Sequence, residues 1–190
     1  MRDDSTSTSP RKTPRYTGIM GDVPEATALL ARDHAHLRDL LAELAEASPR
    51  LGLERKGSLF RAFKLLLEAH ALVEEEVFYP AVMRLRSETA RRAVKEALEE
   101  HQGIDGLIAE IDQLEPEEGA YDAKVENLRE GVERHFRGEE TAMFSEARNH
   151  LTDDRLETLG RQMLALREKL ASERDGEEEL TSAGRDLTPR

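Results

Sequence analysis

Hydrophobic positions recur at helical spacing through four long segments of the chain, and a fifth such segment follows them. Short connections between long helices force neighbours to run antiparallel. The pattern therefore predicts an all-α fold, an up-down-up-down four-helix bundle with an added C-terminal helix. Pro80 is expected to kink or loosen the end of the second helix. The predicted helices cover about residues 22–48, 58–85, 88–114, 120–149 and 152–172.

The segments outside these patterns are polar and show no hydrophobic periodicity. Residues 1–21 contain two prolines, and residues 173–190 are acidic and include Gly, Ser and Thr. Such sequences bury too little apolar surface to fold alone. We expect a flexible N-terminal tail over 1–21, the bundle over 22–150, a C-terminal helix over 151–172 and a flexible acidic tail over 173–190.

Each of the four bundle patterns carries a histidine within its apolar stripe. The segment around His34 is repeated around His101, and the segment that begins at His70 is repeated from His135, at offsets of 67 and 65 residues. The second and fourth histidines are each followed by a glutamate four residues later. A helix advances about 100° per residue, so residues four apart share a face. The inward-facing set is His34, His70, Glu74, His101, His135 and Glu139.

These polar residues are unfavourable in an apolar core unless they are paired or bind a metal. A lone core histidine is more often simply hydrogen-bonded, but the repetition of one ligand set in both halves favours metal binding over a buried His/Glu network. Imidazole and carboxylate suit iron, manganese or zinc, and six ligands exceed the four of a tetrahedral zinc site. The set suits two ions bridged by Glu74 and Glu139, one glutamate from each half.

Composition narrows the setting of this site. The chain has 190 residues, with 40 acidic and 28 basic side chains and a net charge of −12, which argues against nucleic acid as a partner. It has no cysteine, so disulfides and thiolate ligands are excluded. No apolar run approaches bilayer length, and the N-terminus lacks a signal-peptide core. We expect a cytoplasmic protein with no nucleic-acid and no membrane partner.

Four short motifs resemble those of the hemerythrin-like, HHE cation-binding family. They are Asp33-His34, H-x-x-x-E-E-x-x-x-Y-P from His70 to Pro80, Glu100-His101, and H-x-x-x-E-E from His135 to Glu140. The resemblance covers about residues 22–150. It implies a four-helix bundle that holds two Fe ions as a non-haem di-iron centre with an oxo or hydroxo bridge. The ligands that it implies are His34, His70, Glu74, His101, His135 and Glu139.

Two departures from the oxygen-carrying members of that family bear on function. Those members have a further histidine four residues after the third-helix histidine, and this chain has Asp105 at that position. Their final motif contains an aspartate, and this chain has Glu139 in its place. These departures disfavour simple reversible oxygen carriage. They leave the second metal to be completed by Asp105, a tyrosine, water or His36, although His36 projects from a different helix face than His34 and is expected at the surface.

Other polar side chains flank the predicted ligands. Asp33 and Glu100 precede the two lone histidines and are expected either to orient a neighbouring imidazole or to lie at the surface. Glu75 and Glu140 are rotated by about 100° from the predicted bridging glutamates, so they are expected to be solvated or to support a ligand. His150 is expected at a helix terminus.

Glycines cluster on the third and fourth predicted helices. On the fourth, Gly131 and Gly138 stand where the first half has Leu66 and Val73. A glycine within a helix costs about 0.5–1 kcal/mol relative to alanine. Either the helices pack closely here, or the glycines open a channel through which a small ligand reaches one metal. The cluster comprises Gly103, Gly106, Gly131 and Gly138.

Two functional hypotheses follow from the sequence. The first is a redox-active di-iron protein that binds or reduces a small oxidant, O₂, H₂O₂ or NO, for instance in peroxide detoxification. The alternative is a non-catalytic iron- or oxygen-binding or sensing module. The first is favoured because no DNA-binding, kinase or other output domain is recognisable. The expected partner is a small diatomic or peroxide ligand. The C-terminal helix is expected either to pack alongside the bundle or to form a homodimer interface.

Overall fold

The first two bundle helices contain the first of the two repeated halves. A computed structural model describes residues 24–46 and 52–185, with side chains described through residue 174, and every regular element in these ranges is helical. The predicted N-terminal tail lies outside the described residues. The first bundle helix is α1 (Ala26–Glu46). The second comprises α2 (Leu53–Val73), a first π-helical turn (Glu74–Phe78) and α3 (Tyr79–Met83).

The third and fourth bundle helices contain the second half. The third is α4 (Glu88–Ile111), whose N-terminus is capped by the Ser87 side chain, which accepts a hydrogen bond from the Ala90 amide at 3.2 Å. The fourth comprises α5 (Gly119–Gly138), a second π-helical turn (Glu139–Met143) and α6 (Phe144–His150). Helix α7 (Asp153–Arg185) completes the fold. Among the described helices, none is long and apolar enough to cross a membrane.

Buried positions on the bundle helices alternate at spacings of three and four residues, which is the seam of a left-handed helical bundle. The sequence pattern predicts that Leu66, four residues before His70, and Leu98, four residues after Val94, also face inward. This prediction is wrong, because both side chains are 39% exposed. The seam passes one position away from each of them. On the second bundle helix it follows Phe60, Phe63, Leu67, His70 and Glu74.

The predicted ligands lie between two apolar core clusters. The first core cluster joins the π-turn ends of the bundle helices to α7 and includes Leu30, Val73, Phe78, Phe144 and Leu159. The second core cluster fills the opposite end and includes Leu37, Phe63, Ile104, Tyr121 and Leu128. Apolar layers on both sides keep water from the polar layer between them.

Helix α7 packs against the bundle through its first half. Leu156, Leu159 and Met163 are buried in the first core cluster, as the predicted packing alternative required. A side chain at Gly160 would clash with the Pro24 carbonyl oxygen, so only glycine permits this approach to the start of α1. The helix continues to Arg185, well past the predicted end at residue 172.

Each π-helical turn begins at a predicted bridging glutamate. The second bundle helix contains Pro80, which is expected to disturb it. Pro80 does not cause the π turn, however, because the second half forms the same turn with Ser145 at the equivalent position. A π turn holds an extra residue and shifts the helix register, and such turns are frequent at functional sites. The two turns therefore belong to the repeated His-x-x-x-Glu segments.

Candidate metal centre

The structure brings all six predicted ligands into one buried layer. His101 is 7% exposed and the other five are at most 2% exposed. Their ligand atoms form two groups, in each of which the atoms lie within 4.8 Å of one another. The first metal group contains His34, His70, Glu74 and Glu139, and the second contains Glu74, His101 and His135.

The first metal group is formed by α1 and the two His-x-x-x-Glu segments. His70 Nε2 lies 3.1 Å from Glu74 Oε1, and His34 Nε2 lies 3.9 Å from the same oxygen. Glu139 Oε2 lies 3.2 Å from His34 Nε2. Two imidazoles and two carboxylates thus face one point between three helices.

The second metal group uses the other oxygen of Glu74. Glu74 Oε2 lies 3.4 Å from His101 Nε2 and 3.9 Å from His135 Nε2, and the two imidazole nitrogens are 3.1 Å apart. Glu139 Oε2, although assigned to the first group, is also 3.6 Å from His135 Nε2. Glu74 therefore faces both groups directly, and Glu139 lies between them.

Unpaired polar atoms show that the site fits a cation. Within the described residues, four buried atoms of the first metal group lack a hydrogen-bond partner. Buried polar atoms are nearly always paired, so four that converge on one point call for a ligand that accepts their lone pairs. Two nitrogens and two oxygens are donors that suit Fe, Mn or Zn. The four atoms are His34 Nε2, His70 Nε2, Glu74 Oε1 and Glu139 Oε2.

The outer nitrogens of the histidines contact a second set of acids. His34 Nδ1 donates to Glu140 Oε1 at 2.8 Å, and His101 Nδ1 donates to Glu75 Oε1 at 2.7 Å. A proton held on Nδ1 leaves the Nε2 lone pair free to face the metal groups. The sequence left open whether Glu75 and Glu140 are solvated or support a ligand, and in the structure they contact imidazoles.

The two remaining histidines also face acids with their outer nitrogens, His70 through a hydrogen bond and His135 at ion-pair distance only. His70 Nδ1 donates to Asp33 Oδ2 at 3.2 Å, and His135 Nδ1 lies 3.4 Å from Glu100 Oε2. Each acid is adjacent in sequence to a predicted ligand and contacts the histidine of the next bundle helix. The acid of the fourth bundle helix contacts the histidine of the first. We call this set the carboxylate ring, and it consists of Asp33, Glu75, Glu100 and Glu140.

The metal-free site holds protons on its histidines. Burial lowers the pKa of His70, but the charge of Glu74 and the hydrogen bond to Asp33 outweigh burial and raise this pKa to about 9. Burial likewise lowers the pKa of His135, and its contacts with Glu100 and Glu74 raise it to about 10. Both imidazoles must lose a proton before they bind a metal.

The two buried glutamates titrate in opposite directions. Burial alone would raise the pKa of Glu74, but the charge of His70 and the hydrogen bond with His101 hold it well below its ordinary value. Burial and the charge of Glu74 raise the pKa of Glu139. Two carboxylates this close resist ionising together without a cation, which a metal between them would supply.

Tyr79 lies at the site; the sequence placed it in a motif and offered an unspecified tyrosine as one possible completion of the second metal. Its hydroxyl donates to Glu139 Oε1 at 2.8 Å and lies 3.3 Å from both Glu74 Oε2 and His101 Nε2. In a regular α-helix a residue five positions after Glu74 points away from it. The first π turn restores the shared face, and this local register shift is not visible in hydrophobic periodicity.

Aromatic rings surround the first metal group. His34 stacks on Phe136 with ring centroids 3.9 Å apart, and Phe144 lies nearly parallel to it at 5.7 Å. In the first half of the chain, Ala71 and Tyr79 stand at the positions of these two phenylalanines. The second metal group is therefore bordered by a hydroxyl group and has the more exposed histidine, His101.

Three further candidates lie away from the metal groups. His36 and Asp105 are exposed, and neither belongs to a metal group among the described residues, so ligation by them is not supported. His150 is the last residue of α6, and its Nδ1 donates to the Glu146 carbonyl oxygen at 2.9 Å, as expected for a helix terminus.

Close helix packing does not explain all of the glycines. A side chain added at Gly106 or Gly138 would meet open space, so neither of these two permits a close approach of another helix. Val73, the counterpart of Gly138, is instead buried in the first core cluster with residues of α7. Gly103 and Gly131 do line a groove of about 390 Å³ between α4 and α5.

The fold and the site together define the class of this protein, a four-helix-bundle metal-binding domain built from two similar halves. The chain belongs to the hemerythrin HHE cation-binding domain family, whose model matches residues 25–147. This confirms the resemblance in the sequence motifs.

Two known proteins give further comparisons. The fold is similar to the crystal structure of a hemerythrin HHE cation-binding domain-containing protein from Mycobacterium kansasii, with a TM-score of 0.68 and 24% identity over 77% of this chain and 86% of that chain. The chain is also 28% identical over 157 residues to a DNA nickase from Nostoc sp., covering 82% of this chain and 42% of that protein. It thus spans less than half the length of this curated relative.

Proposed function

We propose that this protein is a non-haem di-iron protein that binds or reduces a small oxidant, with H₂O₂, O₂ and NO as candidates. The observation that best supports two ions is the position of Glu74, whose Oε1 faces His70 and whose Oε2 faces His101. A carboxylate that faces two imidazole groups is suited to bridge two cations. Bound iron would supply the electrons that reduce the oxidant.

Tyr79 completes the second metal group in this proposal. The group has three ligand atoms where the first has four, and the Tyr79 hydroxyl lies within 3.3 Å of two of its members. Burial, followed by the charges of Glu74 and Glu139, raises the pKa of Tyr79 well above its ordinary value, so the metal-free chain keeps this proton. A nearby cation reverses that preference and favours the phenolate.

The side of the site that faces α4 and α5 is the proposed route of the oxidant. The groove lined by Gly103 and Gly131 also contains Glu100, whose Oε2 lies 3.4 Å from His135 Nδ1. The opposite side is closed by the rings of Phe136 and Phe144. A small ligand would therefore approach the second metal group, past side chains that hold His135 in place.

Metal analysis with an optical spectrum tests the identity of the centre. The purified protein, loaded anaerobically with ferrous iron and then oxidised, is expected to contain two irons per chain and to absorb in the near ultraviolet. A visible band that disappears in Tyr79→Phe would support phenolate ligation. One zinc per chain, with no uptake of iron, would contradict the proposal.

Oxidant consumption by the iron-loaded protein distinguishes the possible reactions. Release of one O₂ for every two H₂O₂ consumed indicates disproportionation to water and dioxygen. Consumption that requires an added electron donor indicates reduction instead. Stable ligand binding without turnover would favour the alternative, a sensing module, for which the contact between Asp33 and Arg167 of α7 offers a structural output.

The name of the Nostoc relative raises DNA cleavage as a different activity. The match covers only 42% of that protein, and the net charge of −12 on this chain opposes binding to a phosphate backbone. Incubation of the iron-loaded protein with supercoiled plasmid is a direct control, and we expect no nicked product.

A further inference from the structure

One arginine of α7 contacts the carboxylate ring, although α7 lies outside the residues matched by the family, 25–147. Arg167 binds Asp33 with both guanidinium ends: Nη1 lies 3.0 Å from Oδ1, and Nη2 contacts Oδ2. Asp33 Oδ2 also accepts the hydrogen bond from His70 Nδ1 at 3.2 Å. Side chains from α7, α1 and α2 thus form a continuous path to a predicted metal ligand.

This contact is placed where it can control the orientation of His70. The side chains of Arg167 and Asp33 are 24% and 22% exposed, whereas His70 is 2% exposed, so the ion pair closes the outer end of a buried hydrogen bond. A two-pronged guanidinium–carboxylate pair fixes the plane of the carboxylate. Without it, the Asp33 carboxylate is free to rotate toward water and leave His70 without its acceptor.

The same arrangement occurs elsewhere in the carboxylate ring with arginines of the bundle itself. Arg38 Nη1 on α1 lies 2.8 Å from Glu140 Oε1, the oxygen that also accepts from His34. Arg134 makes a longer contact, with Nε 3.6 Å from Glu100 Oε1. Within the described residues, Arg167 is thus one of three arginines that lie within 4 Å of a ring carboxylate oxygen, and it is the one that α7 supplies.

We propose that Arg167 is a positioning residue of the first metal group, and that α7 is therefore part of the metal centre. Arg167 holds Asp33 so that His70 keeps its proton on Nδ1 and presents the Nε2 lone pair to the metal. The inference rests on the proposed function in so far as the first group must bind a metal.

The test measures Co²⁺ binding to the full-length protein, because the visible bands of Co²⁺ report its ligand geometry. Asp33→Ala is expected to weaken Co²⁺ binding by about 10- to 100-fold, and Arg167→Ala by up to about ten-fold with altered bands. Arg167→Lys keeps the charge but loses the two-pronged contact, so it is expected to fall between Arg167→Ala and the unaltered protein. If Arg167→Ala does not fold, Arg167→Lys is compared with the unaltered protein in its place.

Arg161→Ala is the matched control on the same helix. Arg161 is 53% exposed and pairs with Glu157 within α7, so its loss is expected to leave Co²⁺ affinity and spectrum unchanged. The double variant Asp33→Ala/Arg167→Ala should bind no more weakly than Asp33→Ala, because Arg167 acts through Asp33.

Two results would overturn the inference alone: an Arg167→Ala protein with unaltered Co²⁺ affinity and spectrum, or losses that simply add in the double variant. Failure of the unaltered protein to bind Co²⁺ or iron would overturn the proposed function and this inference with it. The two failures are therefore distinguishable.

Discussion

Tyr79 and Phe144 occupy equivalent positions in the two halves of the bundle, each directly after a π-helical turn that begins at a buried glutamate. The Tyr79 hydroxyl contacts the second metal group, whereas the Phe144 ring lies parallel to His34 of the first. The Tyr79 hydroxyl thus supplies a polar atom beside Glu139, Glu74 and His101 for which the second half has no counterpart, because a phenylalanine stands at the equivalent position.

Tyr79→Phe is expected to keep iron but to lose chemistry. The six predicted ligands remain, so most of the iron should be retained although the second metal group loses the Tyr79 oxygen. Oxidant consumption should fall by about 10- to 100-fold, the usual effect of removing a group that supports a metal site. The matched control is Tyr121→Phe, because Tyr121 is buried in the second core cluster. Equal rates for both variants would show that the Tyr79 hydroxyl has no role.

Glu74→Ala is expected to remove more metal than any other single substitution. Glu74 contributes to both metal groups, Glu139 belongs to the first, and Glu75 contacts only the outer nitrogen of His101. Elemental analysis should therefore show the greatest loss for Glu74→Ala, a smaller one for Glu139→Ala and the smallest for Glu75→Ala. Equal losses in the three variants would contradict the assignment of inner and outer carboxylates.

Chelation is expected to lower the melting temperature while helices persist. The metal-free core retains four imidazoles and two carboxylates without their cations, although the apolar clusters on either side remain packed. A ligand present at 100 times its Kd stabilises the folded state by about 2.7 kcal/mol, which corresponds to roughly 5–10 °C in a chain of this length. Calorimetry with verified metal removal measures this, and an unchanged melting temperature would place the metal outside the core.

The destabilisation caused by chelation is expected to increase with pH. The folded metal-free protein holds the pKa of His70 at about 9 and that of His135 at about 10, above the ordinary value of 6.5. Their protonated forms therefore stabilise the metal-free fold fully below about pH 6.5, and this contribution is lost as the pH rises through 9 and 10. Metal affinity instead increases with pH, because metal binding must displace those protons.

Melting curves of the metal-loaded and metal-free forms between pH 6 and pH 10 measure this effect. The gap between the two melting temperatures should widen as the pH rises. A gap that narrows over this range would show that the histidines are not protonated in the metal-free protein.

Gly103→Leu is expected to slow the reaction with peroxide or azide. Gly103 lines the groove between α4 and α5, and a Cβ there meets open space, so leucine is expected to extend into the groove. Gly138→Leu is the control, because Gly138 is also open to solvent but lies outside that groove. Stopped-flow rates at equal iron content decide the matter, and equal slowing by both would reject this groove as the route.

The sequence could predict that the six inward-facing side chains meet in one layer. His70 and Glu74 could be found because residues four apart share a helix face, and the repetition in the second half pointed to a common centre. The fold followed from the same periodicity. The predicted burial of Leu66 and Leu98 is wrong, because the buried positions of a twisted bundle alternate at three and four residues, and a four-residue step at these two places misses them.

The outer features depended on geometry that periodicity does not encode. Tyr79 reaches Glu74 only through the π turn, and a local change of helix register has no simple hydrophobic signature. Asp33 and Glu75 act on histidines of other helices, so their roles depend on which helices are neighbours. The contact from Arg167 requires the docking of α7, which sequence spacing alone cannot orient.

The carboxylate ring also bears on how such a domain could arise. Within the first half only the contact from Asp33 to His70 is internal, whereas Glu75 reaches forward to His101 and Glu140 reaches back to His34. Two identical copies of one half, related by a two-fold axis, would satisfy the same four contacts. The arrangement is thus the one expected if a two-helix ancestor paired with its own copy, and fusion of the copies then freed one to keep a tyrosine and the other a phenylalanine.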